Sequence, residues 1–227
     1  MKKAVILVSG GLDSTTTLAM AIEQGYDVYP ITFSYGQKHE VEIKKAMQAV
    51  EYFKIKNHKV INLDLRAFGG SALTDSSIEI PKYKNKDELG DTIPVTYVPA
   101  RNTIFLSLAL AYAETINAYD IFIGVHAQDY SNYPDCRPEF IKAFEDMANL
   151  GVKYTSSEKR IRIHIPIIEM NKAQIIEIGT KLGVDYKNTI SCYDASADGL
   201  SCGTCHPCLL RKDAFEKNNI LDPTLYR

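Results

Sequence analysis

Residues 4–8 form an unbroken apolar run closed by Ser9-Gly10-Gly11. Such a run reads as a strand buried on both faces, as a parallel sheet requires. A helix is expected over 14–24 with Gly25 as its stop, and a second strand over 28–33. Over 39–53, Val41, Ile43, Met47 and Val50 fill most of one side of a helix, and 59–65 reads as a third strand. The alternation resumes later with a helix over 102–117, a strand over 120–125, a helix over 138–149 and a less buried strand over 160–167. Pro138 fits the first turn of its helix. Asn171 and Gln174 form a candidate capping box, with Met170 and Ile175 as its staple, for a helix over 172–182. Short apolar strands alternating with longer helices predict an α/β chain: an open, mostly parallel sheet with helices on both faces.

Two stretches break the rhythm. Residues 66–96 carry Gly69-Gly70, Pro81, Gly90 and Pro94 without periodicity. That is long for a connection, so the stretch is either a lid or hides a short element. After Gly183 the pattern dissolves into a Cys-, Gly- and Ser-rich segment, followed by a short helix over 209–216. The expected organisation is a nucleotide-binding α/β domain over 1–185 and a small metal-binding tail over 186–227.

The string Ser9-Gly10-Gly11-Leu12-Asp13-Ser14 joins the first strand to the first helix. Glycines there let the backbone approach an anion and turn its N–H groups inward. The helix start adds unpaired donors and partial positive charge, so phosphate or pyrophosphate is the natural guest. Asp13 would repel a phosphate unless a cation stands between them. It is therefore assigned to a Mg²⁺ site or to orienting the loop. The string has neither the Gly-Lys-Ser/Thr ending of the P-loop nor the three-glycine dinucleotide spacing. Arg101 is poorly matched to the dipole of the helix it precedes, which points it at an anion; a surface charge is the plainer alternative. Tyr35 either flanks a nucleotide or packs on the sheet. The loop 124–137 (carboxylates, amides and tyrosines at a strand end) either suits a flat, hydrogen-bonding heterocycle or is an ordinary surface loop.

Four of the five cysteines follow the pattern C-x9-C-x2-C-x2-C at Cys192, Cys202, Cys205 and Cys208. Four thiolates so spaced suit a closed, structural Zn²⁺ site, with an iron–sulfur cluster or unligated cysteines as the alternatives. His206, inside the cluster, is then beside the metal or exposed, and Cys136 stands apart. No export-type apolar stretch precedes Ser9, so a reducing cytoplasm is expected. The later apolar run over 104–113, interrupted by Ser107, is too short to cross a bilayer. A net charge of −2 with scattered lysines argues against charge-driven nucleic-acid binding.

The SGGLDS string resembles the SGGxDS loop of the ATP pyrophosphatase (PP-loop) superfamily, and that resemblance implies an adenine nucleotide alpha hydrolase-like fold. Nearly end to end, the chain resembles the 7-cyano-7-deazaguanine synthase family. The likeness rests on Phe33 to His39, Val98 to Asn102, Gly124 to Phe140, Ser191 to Tyr193 and Cys202 to Cys208. It implies ATP as cosubstrate with Mg²⁺, a deazapurine acid activated as an adenylate, and ammonia that is free or delivered by a partner protein. It also implies a homodimer. Carried onto this chain, Val8 to Leu18 (Val8, Ser9, Gly10, Gly11, Leu12, Asp13, Ser14, Thr15, Thr16, Thr17, Leu18) bind ATP. Asp13, Ser14 and Arg101 are the catalytic candidates. Tyr35, Asp129, Tyr133, Asp135 and Arg137 would bind the deazapurine. The rivals are another adenylating enzyme of the superfamily that modifies or thiolates tRNA, and a zinc-stabilised nucleotide-binding module without catalysis.

Overall fold

The computed structural model describes residues 1–38, 41–85, 88, 92–126, 133–153 and 159–227. Five strands form one sheet in the order β3-β2-β1-β4-β5, with every pair parallel. They are β1 (Lys3–Leu7), β2 (Asp27–Ser34), β3 (Lys59–Asn62), β4 (Asp120–Phe122) and β5 (Arg162–His164). The helices are α1 (Leu12–Glu23), α2 (Val41–Tyr52), α3 (Arg101–Ile116), α4 (Pro138–Gly151), α5 (Lys172–Lys181) and α6 (His206–Lys217). On one face, Leu18 and Ala21 of α1 and Ala46 and Val50 of α2 pack on Ala4, Ile6, Val28 and Phe122. On the other, Phe105, Leu106 and Ala109 of α3 and Ile141 and Phe144 of α4 pack on Val5, Leu7, Ile31, Ile121 and Ile163. Covered on both faces, β1 needs the continuous apolar run that its sequence supplies.

The strand order reverses direction at β1: β2 leads off one side of it and β4 off the other. In open parallel sheets a ligand crevice opens at that point, beyond the carboxyl ends of the strands.

Several element ends differ from the sequence reading, for tertiary reasons. The strand expected over 120–125 ends at Phe122 because Gly124 turns the chain against α1. A Cβ on Gly124 would lie 2.9 Å from Thr17 Oγ1 and 3.1 Å from the Asp13 carbonyl. The strand expected over 160–167 keeps only Arg162–His164, and Pro166 just beyond has no N–H to extend the ladder. The strand expected over 59–65 stops at Asn62. Leu65 instead begins a 3₁₀ turn to Phe68, capped by Asp64, which accepts from the Arg66 N–H. The helix expected over 14–24 begins two residues earlier, at Leu12. The helix expected over 209–216 begins at His206, inside the cysteine cluster, with Pro207 in its first turn. The capping box of α5 is formed as read, with Asn171 Oδ1 accepting from the Gln174 N–H and Gln174 Oε1 from the Asn171 N–H. Met170 and Ile175 share one apolar cluster.

The irregular stretch 66–96 starts in the 3₁₀ turn and runs from the sheet to the cysteine-bearing tail. The Ala72 N–H donates to Val95 O (2.7 Å), the Tyr83 N–H to Thr204 O (2.9 Å), and Lys82 pairs with Asp194. The tail packs on the rest of the chain. The Ile190 N–H donates to Gly10 O (2.9 Å), and buried Arg211 binds Asp222, Thr189 Oγ1 and Tyr186 O. No helix of the described residues is long and apolar enough to cross a membrane.

Candidate active site

A cavity of about 240 Å³ opens over the carboxyl ends of β1 and β4. Its floor is the loop between β1 and α1. Gly10 sits at φ +79°, and a Cβ there would run into Glu42 O and lie 2.6 Å from Ala46 N, so only glycine lets the loop pass beneath α2. Inside the loop the Ser9 N–H donates to Ser14 Oγ (3.1 Å), and the two serine hydroxyls are 3.0 Å apart. Gly11 caps α1 without a side-chain hydrogen bond. The first-turn N–H groups of α1 are therefore left for an anion in the cavity, which Ser9, Gly11, Leu12, Asp13 and Ser14 line.

Asp13 does not lack a cation. Lys172, the first residue of α5, donates to both of its carboxylate oxygens at 2.8 and 2.7 Å and to His126 Nε2 at 2.8 Å. Burial raises the Asp13 pKa, but Lys172 and His126 together reverse this, and it lies below the ordinary carboxylate value.

Across the cavity stands Arg101, first residue of α3. Ala100 before it adopts a left-handed conformation (φ +53°), a strained geometry for a residue with a Cβ. Burial works against the Arg101 charge, yet Tyr35, Cys136, Tyr193 and Asp135 outweigh it and the pKa is raised. The α3 start is held by Asp135: Oδ2 accepts from the Asn102 N–H (2.9 Å), and Asn102 Nδ2 donates to Asp135 O and Cys136 Sγ. Tyr35 is buried, and burial followed by the Glu42 charge pushes its phenol up to about 12. Tyr133 OH lies 3.3 Å from Thr96 Oγ1 and 3.4 Å from Tyr193 OH.

Of the expected residues, Val8, Ser9, Gly11, Leu12, Asp13, Ser14, Tyr35, Arg101, Tyr133 and Asp135 line this one cavity. Gly10 lies beneath it, and Thr15 and Thr16 bond back to the Gly11 and Leu12 carbonyls. Thr17 and Leu18 are buried in α1. Arg137 caps α4 at the exposed surface, away from the cavity lining, and Asp129 falls outside the described residues. Cys136 is a buried neighbour of Asn102. His164 bonds Asp120 away from the site, and His58, not itself in the lining, bonds Thr32, which is. Sequence reasoning missed Lys172, Glu42, Asn102 and Tyr193 as cavity residues and gave His126 no role. For Lys172 there was a signal of the kind used for Arg101, a cation in the first turn of a helix, against the dipole.

The four cysteines converge, with Sγ atoms within 4.8 Å of one another and Cys192–Cys205 at 4.0 Å. Tetrahedral thiolates on one metal ion stand about 3.8 Å apart, from metal–sulfur bonds of about 2.3 Å, so the set fits a single ion. The Asp194 and Cys202 N–H groups donate to Cys192 Sγ (3.3 and 3.2 Å), and the Cys205 N–H to Cys202 Sγ (3.3 Å). Such donors stabilise thiolates. His206, half-buried at the start of α6, lines the cavity beside the cluster, as do Pro207 and Tyr193.

Comparison with known proteins agrees with this geometry. The family model described as Queuosine biosynthesis protein QueC matches residues 3–219. Chains named 7-cyano-7-deazaguanine synthase from Rickettsia felis and Rickettsia bellii are 59% and 60% identical over 226 residues. These matches span 100% of this chain and 100% and 99% of theirs. Among solved structures, NMN synthetase from Francisella tularensis gives a TM-score of 0.53 at 17% identity, over 97% of this chain and 78% of that one. The "predicted subunit of tRNA methyltransferase" from Methanocaldococcus jannaschii gives 0.51 at 14%, over 100% and 93%. These two speak for the fold alone. Fold and loop together define a nucleotide-binding α/β enzyme of the PP-loop type. Within that class, the chain belongs to the 7-cyano-7-deazaguanine synthase family.

Proposed function

We propose that this enzyme converts 7-carboxy-7-deazaguanine and ammonia to 7-cyano-7-deazaguanine, cleaving ATP to AMP and pyrophosphate. The observation that carries the reading is the cavity at the switch point. It sets an uncapped, glycine-turned helix start against Arg101, Asp135 and Tyr133 on the opposite wall. The acid's carboxylate attacks the α-phosphorus of ATP, and pyrophosphate leaves into the α1 N-terminus, where Ser9 and Ser14 add hydroxyl donors. Lys172 and Arg101 supply positive charge from the two ends of the transferring group. Ammonia displaces AMP from the acyl adenylate to give the amide. A second ATP activates the amide oxygen in the same place, and AMP departs to leave the nitrile. One pocket serves both rounds because acid and amide present an oxygen at the same position.

Asp135, Tyr133 and Tyr35 are the proposed contacts of the deazapurine. Mg²⁺ would be held by the ATP phosphates, whose charge it neutralises, while Asp13, with both oxygens engaged by Lys172, orients the loop beneath them. The cysteine set is read as zinc, since a multi-iron cluster would hold its four sulfurs farther apart than one ion does. All-sulfur ligation makes it structural: it fixes the wall formed by Tyr193, His206 and Pro207. Ammonia is taken as free or delivered by a partner protein. A cytoplasmic homodimer is the expected working form, on the strength of the family. Sedimentation at micromolar concentration tests the dimer.

The function is tested by mass spectrometry of purified protein with 7-carboxy-7-deazaguanine, ammonium and Mg-ATP. The reading requires a nitrile product with two AMP per nitrile. ATP binding by a folded, zinc-loaded sample without nitrile or amide would overturn it.

A further inference from the structure

We propose that Glu42 is the base that takes the nitrogen-bound protons on the path from ammonium to nitrile. This rests on the activity proposed above. The proton count creates the need. Ammonium, the form that dominates in neutral water, must lose one proton to expose the lone pair that attacks the acyl adenylate. Forming the C–N bond and breaking the C–O bond to AMP releases a second. When the amide oxygen bonds to the α-phosphorus and pyrophosphate leaves, the nitrogen gives up a third. The fourth leaves as the remaining C–O bond breaks with its electron pair to AMP and the C≡N bond completes. Four N–H bonds are thus broken in one turnover. In a cavity that shields the adenylate from water, a side chain must accept those protons.

The described carboxylates lining the cavity are Asp13, Glu42 and Asp135. Asp13 spends both oxygens on Lys172, and Asp135 holds the Asn102 N–H at the start of α3. His126 Nε2 is taken up by Lys172. Among the described residues, the Glu42 carboxylate has no hydrogen-bond or ion-pair partner, although it faces the same cavity as Ser9, Gly11 and Arg101. The charged and titratable groups that act on it come from three elements. Tyr35 stands at the end of β2, Arg101 at the start of α3, and Cys192 in the tail. Burial pushes the Glu42 carboxyl up to about 7, although Arg101 pulls it the other way. A base so poised both accepts a proton and releases it again between steps. Its place on the first turn of α2, directly over Gly10, puts it beside the phosphate loop, where the adenylate carbon must lie.

Two assays on the full-length, zinc-loaded enzyme separate this role from others. Exchange of labelled pyrophosphate into ATP, with the acid present and ammonium absent, reads adenylation alone. Nitrile formation against ammonium concentration and pH reads the nitrogen steps. For Glu42→Gln the expected result is exchange near the wild-type rate with nitrile formation down about 100-fold or more. That loss should narrow as pH rises and free ammonia becomes abundant. Retained exchange also shows that the variant is folded. If Glu42→Gln loses exchange, Glu42→Asp decides: retained exchange with partly restored nitrile formation supports the proposal. Loss of both in Glu42→Asp, or a Glu42→Gln variant that makes nitrile as fast as wild type, would each overturn it. Absence of acid-dependent exchange in the wild type would overturn the proposed activity, and this inference with it.

Discussion

Replacing Lys172 with Met tests the electrostatics of the site through stability, without any substrate. In the wild type, Asp13 titrates below its ordinary value. Its contribution to stability is therefore complete above the unfolded pKa of about 3.9 and is lost only as pH falls through the folded value. Between pH 5 and pH 8 it is flat. With Lys172 gone, burial becomes the dominant influence, opposed only by the weaker pulls of His126 and Arg211, and the Asp13 pKa is expected to move above the ordinary value. The sign then reverses: folding takes up a proton, and stability falls as pH rises from the ordinary value through the raised one. Removing one partner of a buried pair costs about 3–5 kcal/mol. Lys172 and Asp13 keep 13% and 24% of their side-chain surface, so about 3 kcal/mol, the lower end, is expected at pH 8. With a urea slope of roughly 2–3 kcal/mol per molar, the midpoint should drop by about 1 M at pH 8 and by clearly less at pH 5. The assay is urea unfolding followed by circular dichroism in magnesium-free buffer, with Asp13→Asn/Lys172→Met as the partner variant. That double variant should recover most of the loss and flatten its pH dependence. A wild-type-to-variant gap that is equal at the two pH values would refute the reasoning.

Gly10→Ala should cost about 2–4 kcal/mol, from the left-handed backbone and the collision with α2, and should weaken ATP binding as the loop is displaced; calorimetry and urea unfolding check both. Stripping the metal with a strong chelator should release one zinc per chain and abolish nitrile formation while leaving most helical circular dichroism, because the sheet core does not include the cluster. Asp135→Asn keeps an oxygen for the Asn102 N–H, so it should raise the KM for the deazapurine acid while ATP binding holds; equal losses of both would remove Asp135 from the substrate side.

What was legible in the sequence was what is decided locally. The apolar run of β1, the capping box of α5 and the spacing of the four cysteines each need only near neighbours, and each formed as read. The glycine loop was legible for a related reason: Gly10 and Gly11 leave the backbone and first-turn N–H groups of α1 open to the cavity, whatever lies elsewhere. The ends of β4 and β5 were not legible, because Gly124 is set by contact with Thr17 and β5 is cut short near Pro166. Nor was the partner of Asp13. Lys172 lies 159 residues away, and only the passage of α5 beside α1 brings them together. Glu42 reads as an ordinary first-turn acid of an amphipathic helix, and only the closure of α2 over Gly10 turns it inward. Arg137, read as a substrate contact from its loop, stands at the surface because Pro138 starts α4 immediately behind it.

The hydrogen bond from the Ile190 N–H to Gly10 O joins the beginning of the chain to its last third. With His206, Pro207 and Leu210 also walling the cavity, this fixes when the site comes into being during synthesis. A ribosome-bound chain that has delivered β1 to β4 has its phosphate loop and its arginine, but no tail to close over them. An adenylate formed at that stage would stand open to water. Because residue 210 must fold against the loop and the cysteines must gather before the pocket is walled, competence to handle the reactive intermediate depends on the tail as much as on the loop.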